Sequence, residues 1–201
     1  MIYLKEANME DMEKEYEFIT NTPEDENGFT NPDSGCSLED FKDKILPGLI
    51  KMSRGIDLPK GFVPQTSYFL WDEEKIVGLF RVRHYLNDYL KKHAGHIGYG
   101  IAPQYRGKGY GKELLRLLLI EANKIGLEKV LITIHSDNIA SQKVALANGG
   151  VITEKTEERV YIWIREKNEN KTIYHLYINF FIPFCEWNKN ICACCTANAY
   201  R

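Results

Sequence analysis

Apolar residues recur along this chain with two periods. Met9, Met12, Tyr16 and Ile19 are spaced as one face of a helix that starts at Asn8–Asp11. Leu38, Phe41, Ile45, Leu49 and Ile50 repeat the pattern behind a Ser37/Asp40 capping pair, and Pro47 inside it predicts a kink or split. Between them, residues 20–37 are rich in Asn, Pro, Asp, Gly and Ser and read as a loop. A short strand opens the chain at Ile2–Leu4. Ser67–Trp71 and Ile76–Arg83 flank a polar turn and read as a hairpin, with Gly95–Ile101 as a third strand. The segment from Gly109 to Ile125 has a helix's wide apolar face, suited to packing on a sheet, and Gly126 closes it. Val130–His135 reads as a buried strand. Asp137 or Asn138 caps a helix that runs to Ala147 and ends at Gly149-Gly150, and Val151–Thr153 and Arg159–Ile164 form a last hairpin. This order predicts an α/β (α+β) fold, a mixed and mostly antiparallel sheet flanked by helices.

Composition sets the boundaries. At 201 residues and 44% hydrophobic, the chain has the apolar mass for one core or slightly more. The pattern breaks after Ile164. Residues 165–171 are all polar, and a Tyr/Phe/Asn/Cys-rich stretch follows. We therefore expect a domain over 1–165 and an atypical, non-catalytic tail over 166–201, with an aggregation-prone run at Ile173–Phe184. The longest apolar run, Ile173–Trp187, is interrupted and shorter than the roughly 20 residues of a spanning helix, so no membrane segment is expected. The N-terminus lacks the basic and apolar regions of a secretory signal, and Cys36 stands alone ahead of Cys185. Both features predict a cytoplasmic protein without a disulfide scaffold. Cys192, Cys194 and Cys195 lack a second well-spaced ligand pair, so no metal is expected.

The net charge of −2 gives no general case for binding nucleic acid. It hides an asymmetry. Residues 9–42 carry eleven acids against Lys14 and Lys42, a local −9, which leaves +7 for the remainder. The most informative segment lies in that basic remainder. From Gly98 to Lys112 a strand ends, three glycines alternate at 107, 109 and 111, and a helix opens at once. Glycines permit close approach of a ligand. The unbonded N–H groups of a helix's first turn attract anions. Arg106, Lys108 and Lys112 add positive charge, so a pyrophosphate is the guest such a turn suits. The spacing departs from the dinucleotide fingerprint G-x-G-x-x-G, and Glu113 stands where a P-loop needs Ser or Thr.

Gln104-x-Arg106-Gly107-x-Gly109-x-Gly111, behind a strand ending Ile101-x-Pro103, resembles the acetyl-CoA motif of GNAT-type N-acetyltransferases. The element order over residues 1–165 resembles that acyl-CoA N-acyltransferase fold as well. The resemblance implies a splayed sheet, with pantetheine paired to the strand near Ile101. It implies that the main chain from Arg106 through Gly107, Lys108, Gly109, Tyr110 and Gly111 holds the pyrophosphate, with Lys112 adding charge and Asn138 as a further cofactor contact or a plain helix cap. No metal is implied. The family often has a Tyr general acid seven residues after that Asn. This chain has Ala145 there, and Gly150 where Phe is common. Tyr99, Tyr110 and Tyr161 are the candidate substitutes, and water is another. His96, where the family often has Glu, is the candidate base, with His84 and His135 behind it; imidazole titrates near neutrality.

Two functions follow from the resemblance. The first is an N-acetyltransferase in which a primary amine attacks acetyl-CoA directly in a ternary complex. The second is an acetyl-CoA-binding sensor without turnover, to which the absent Tyr at 145 lends weight. For the first, the acidic stretch with Glu24, Asp25, Glu26 and Asp33 would attract a small cationic amine or peptide. Homodimerisation stays open.

Overall fold

β1 (Ile2–Glu6) pairs antiparallel with β4 (Gln65–Asp72), which forms a hairpin with β5 (Lys75–Arg83), and β5 pairs in turn with β6 (Ile97–Ile101). This is the first sheet. A second sheet follows the order β7 (Lys129–His135), β9 (Arg159–Arg165), β8 (Val151–Lys155), so the last strand lies between the two before it. The computed structural model describes residues 1–165; the expectations for the 166–201 tail, its cysteines and its apolar run lie outside the described residues.

Helices cover both faces of the first sheet. α1 (Met12–Asn21) starts where Asn8 Oδ1 accepts the N–H groups of Glu10 and Asp11 at 3.0 and 2.9 Å. α2 (Leu38–Asp40) is capped by Ser37, whose Oγ accepts the Asp40 N–H at 3.1 Å. Pro47 has no N–H to return to Asp43. The helix widens into a π-type turn over Phe41–Ile45 and re-forms as α3 (Leu46–Ser53), which is the expected split. These elements bury Ile19, Phe41 and Leu46 against Phe69, Trp71 and Leu79. On the opposite face α5 (Tyr110–Lys124) buries Leu114, Leu115 and Leu118, and α6 (Ile139–Ala147) buries Ala145, in a core shared by both sheets.

Two small elements were not expected. α4 (Asp88–His93) is capped by Asn87, whose Oδ1 accepts the Leu90 N–H at 2.9 Å. Within the acidic loop, β2 (Asp25–Glu26) and β3 (Phe29–Thr30) form a hairpin. Its turn is Asn27-Gly28, with φ of 55° and 85°, the signature of a type I′ turn.

The two sheets meet at one joint. His96 N–H donates to Leu131 O at 2.7 Å, and Leu131 N–H donates to His96 Nδ1 at 2.9 Å. Beyond it β6 and β7 share no ladder. Because α5 is the crossover between them, both strands run the same way, and the gap opens toward their C-terminal ends. The expected splay is present. Among the described residues no helix is long and apolar enough to cross a membrane.

Candidate active site

The gap between β6 and β7 is closed at one end by the His96 joint and rimmed at the other by two helix N-termini. Ala102 N–H donates to Val77 O, toward β5. By strand alternation the main-chain groups of Tyr99 and Ile101 turn to the opposite edge, into the gap. After Ile101 a short 3₁₀ turn, Pro103–Tyr105, leads to the glycine-rich segment. Gly107 and Gly109 have φ of 73° and 88°, which side chains other than glycine rarely adopt, and among the described residues a Cβ at either would meet nothing within 4 Å. Among the described residues the turn is therefore open rather than packed. The first bonds of α5 are donated by Lys112 and Glu113 to Gly109 O. The N–H groups from Gly107 to Gly111 precede them, which suits an anion at the positive end of the helix. One expected donor differs: the Arg106 N–H bonds Pro103 O at 3.2 Å, and its side-chain Nε bonds Ile101 O at 2.8 Å. Lys108 and Lys112 are exposed beside the turn.

A cleft of about 560 Å³ lies between β6 and β7, on the face of β5 that carries Arg81 and Arg83. Tyr99, Ser141, His135 and Asn138 line it, together with Phe29 of the small hairpin. The Tyr99 hydroxyl spans the gap to Ser141 Oγ at 2.7 Å, and burial pushes its pKa up to about 12. Asn138 caps α6, with Oδ1 accepting the Ser141 N–H at 3.0 Å, and its Nδ2 donates to Asn27 O at 3.2 Å. Gly28 sits over the His135 ring so closely that a Cβ there would lie 2.5 Å from Cδ2. The hairpin thus crosses the mouth of the gap. Phe29 rests on Gly100, where a Cβ would come within 3.1 Å of the ring. It separates this cleft from a second of about 530 Å³, lined by Phe18, Ile101 and Gln104 among others.

The histidines divide by placement. His96 is buried at the joint with its Nδ1 lone pair already used; burial, then the Arg83 cation, holds its pKa down to about 4. It does not line the cleft, and this geometry corrects its reading as a base. His84 bonds Thr66 Oγ1 at 2.8 Å away from the cleft, and burial lowers its pKa. His135, at the end of β7, lines the cleft and is exposed.

The tyrosines divide similarly. Tyr110 OH donates to Asp72, a bond that raises its pKa and ties α5 to β4. Tyr161 OH donates to Lys92 O at 2.9 Å. Of the three candidates, Tyr99 lines the cleft. Ala145 is fully buried in the core, and Gly150 packs against it: a Cβ there would lie 2.6 Å from Ile162 Cγ2 and 2.7 Å from Ala145 O. No larger side chain fits at 150.

Among charged residues, Asp25 lines the cleft for the acidic stretch. Lys60, Arg81, Arg83 and Arg159 also line it. The arginines of β5 escaped the sequence reading, because alternation within a strand marks them only as a polar face.

A sequence model of the Acetyltransferase (GNAT) family matches residues 11–149. No curated protein sequence matches the chain. Solved structures do. The Campylobacter jejuni N-acetyltransferase PseH, in complex with acetyl coenzyme A, superposes with a TM-score of 0.53 at 14% identity, over 83% of this chain and 100% of that one. An acetyl transferase from Salmonella typhimurium that modifies the N-terminal serine of a 50S ribosomal subunit protein gives 0.57 at 17% identity, over 83% and 95%. The spermidine/spermine N-acetyltransferase of Vibrio cholerae gives 0.56 at 16%, over 90% and 99%.

Proposed function

The chain belongs to the GNAT family of acetyltransferases, and on that premise we propose that it transfers acetyl from acetyl-CoA to a primary amine by direct attack in a ternary complex. The observation that carries this reading is the joining of the open β6 edge to the unfilled N-terminal turn of α5 through one short segment, Ile101 to Gly111. Pantetheine pairs with that edge. The N–H groups of Gly107 to Gly111 hold the pyrophosphate, with Lys108 and Lys112 adding charge. Acetyl-CoA supplies an activated thioester carbonyl. An inward N–H of β6, at Tyr99 or Ile101, stabilises the oxyanion that develops there.

The acceptor enters through the cleft between β6 and β7. Its ammonium must first lose a proton, and His135 at the mouth takes it, directly or through water. The neutral nitrogen then attacks the carbonyl carbon. The C–N bond forms, the C–S bond breaks, and the electron pair leaves on sulfur. The Tyr99 hydroxyl, held protonated by burial and oriented by Ser141, donates a hydrogen bond to that sulfur and takes the place of a Tyr at 145. A thiol ordinarily titrates near ~8.5, so solvent completes the proton balance. The relatives that act on a protein N-terminus and on polyamines support an amine as acceptor.

The test is thiol release from acetyl-CoA over a panel of amines, beside calorimetric binding of acetyl-CoA. Binding together with amine-dependent release is expected. Binding without release for any amine would contradict turnover.

A further inference from the structure

We propose that Arg81 and Arg83 form an oxyanion-binding subsite within the acceptor cleft, so that the amine receiving the acetyl group also carries a carboxylate or phosphate. This rests on the transferase reading above and adds the substrate class to it. The two residues lie two apart on β5, so their side chains leave the same face of the strand. Both are half-buried, and both line the cleft. Neither has a carboxylate within ion-pair distance among the described residues.

Their protein contacts are few. Arg81 Nη1 donates to Thr30 O at 2.7 Å, and its guanidinium carbon lies 5.1 Å from the centre of the Phe29 ring. Arg83 Nη1 donates to Ala94 O at 3.3 Å and Gly95 O at 3.1 Å. A guanidinium has further N–H donors in a planar fork suited to an oxyanion, and none of the bonds above uses them. The charge balance of the cleft favours an anion. Burial and then the neighbouring Arg81 cation bring the Arg83 pKa down to about 10, and burial lowers that of Arg81 against the opposing field of Asp33. Two cations held side by side in a poorly solvated cleft repel each other, and an anion between them relieves both effects. Arg159 and Lys60 add the same sign to the cleft lining, against Asp25 alone among the described carboxylates that line it. On the β7 side, Thr133 lines the same cleft, and its buried hydroxyl has no hydrogen-bond partner among the described residues.

The experiment compares acceptors matched but for the anion: 4-aminobutyrate and O-phosphoethanolamine against butylamine and ethanolamine, with spermidine as a cationic competitor. The subsite predicts kcat/KM about tenfold or more higher for an anionic member than for its neutral twin, the discrimination expected of a charged hydrogen bond. Arg83→Gln abolishes that preference, and Arg83→Lys retains part of it. Whether carboxylate or phosphate is favoured identifies the group. Equal rates for twins, or a preference for spermidine, overturn the subsite and leave acetyl transfer standing. Where no amine turns over, calorimetric titration with the two anionic amines reads the subsite directly. Binding that is lost in the Arg81→Gln/Arg83→Gln double variant supports it, and absent binding or affinity equal to the variant's overturns it. Melting temperature and acetyl-CoA affinity of each variant separate loss of the subsite from loss of the fold.

Discussion

The Tyr99 hydroxyl lies 2.7 Å from Ser141 Oγ and joins β6 to the first turn of α6 across the gap between the two sheets. Burial keeps it protonated. If Tyr99 acts on the departing sulfur, Tyr99→Phe lowers kcat by about a hundredfold, the lower end for positioned acid–base groups. Its acetyl-CoA affinity stays near that of the unmodified protein. Ser141→Ala lowers kcat less, because it removes only the orienting partner. Steady-state kinetics beside calorimetry check both; an unchanged kcat in Tyr99→Phe would remove Tyr99 from the reaction.

Gly109 tests the anion turn. At φ 88° a Cβ meets no neighbour among the described residues, so strain and obstruction of the ligand's approach dominate the effect of adding a side chain there. Gly109→Val is expected to weaken acetyl-CoA binding by more than about tenfold while the melting temperature falls only modestly. Calorimetry with acetyl-CoA measures the first, and thermal unfolding measures the second.

His96 tests the joint. Its folded pKa of about 4 lies below the ordinary 6.5, so between those values the unfolded chain binds a proton that the folded chain does not. The stabilising contribution is complete above the higher value and is lost as pH falls toward the lower one. His96→Gln flattens this acid limb of stability against pH. His96→Ala leaves the buried Leu131 N–H without its partner and costs about 1–3 kcal/mol. Neither change removes a catalytic pKa from the pH–rate profile.

Glu15 has the opposite sign. It is fully buried near the start of α1, where it accepts the Asn8 N–H at 3.1 Å, and burial pushes its pKa up to about 8 from the ordinary 4.5. Between those values the folded chain keeps a proton that the unfolded chain loses, so stability falls as pH rises through the window. Glu15→Gln removes this alkaline limb and raises the melting temperature at pH about 8. The Glu15 and His96 effects oppose each other over part of their range. Each is therefore read as the difference between variant and unmodified protein across the pH series.

Much of the frame was legible because each element carries its own local signal. The helical spacing from Leu38, the cap at Ser37 and the break at Pro47 all act within a few residues, and the split helix follows from them. The glycine turn was legible for the same reason. The β2–β3 hairpin was legible in principle, since Asn27-Gly28 is a strong type I′ signal, but its strands are two residues long and carry no alternation. What stayed hidden depends on distant contacts. His96 became a joint because Leu131, 35 positions away, supplies the opposing N–H. Tyr99 could not be preferred over Tyr110 and Tyr161 until Ser141, Asp72 and Lys92 were seen to hold the three hydroxyls. The acidity of residues 9–42 gave no guide to the cleft, because a summed charge does not say which side chains converge.

The most direct test follows a label in a single turnover. Enzyme is mixed with acetyl-CoA labelled in the acetyl group and a productive amine, and label on CoA, protein and amine is measured with time. Direct transfer predicts that label leaves CoA and enters the amine with matching rates, with none held on the protein. Label accumulating on the protein before the amine, or CoA released with no acetylated amine formed, would contradict it.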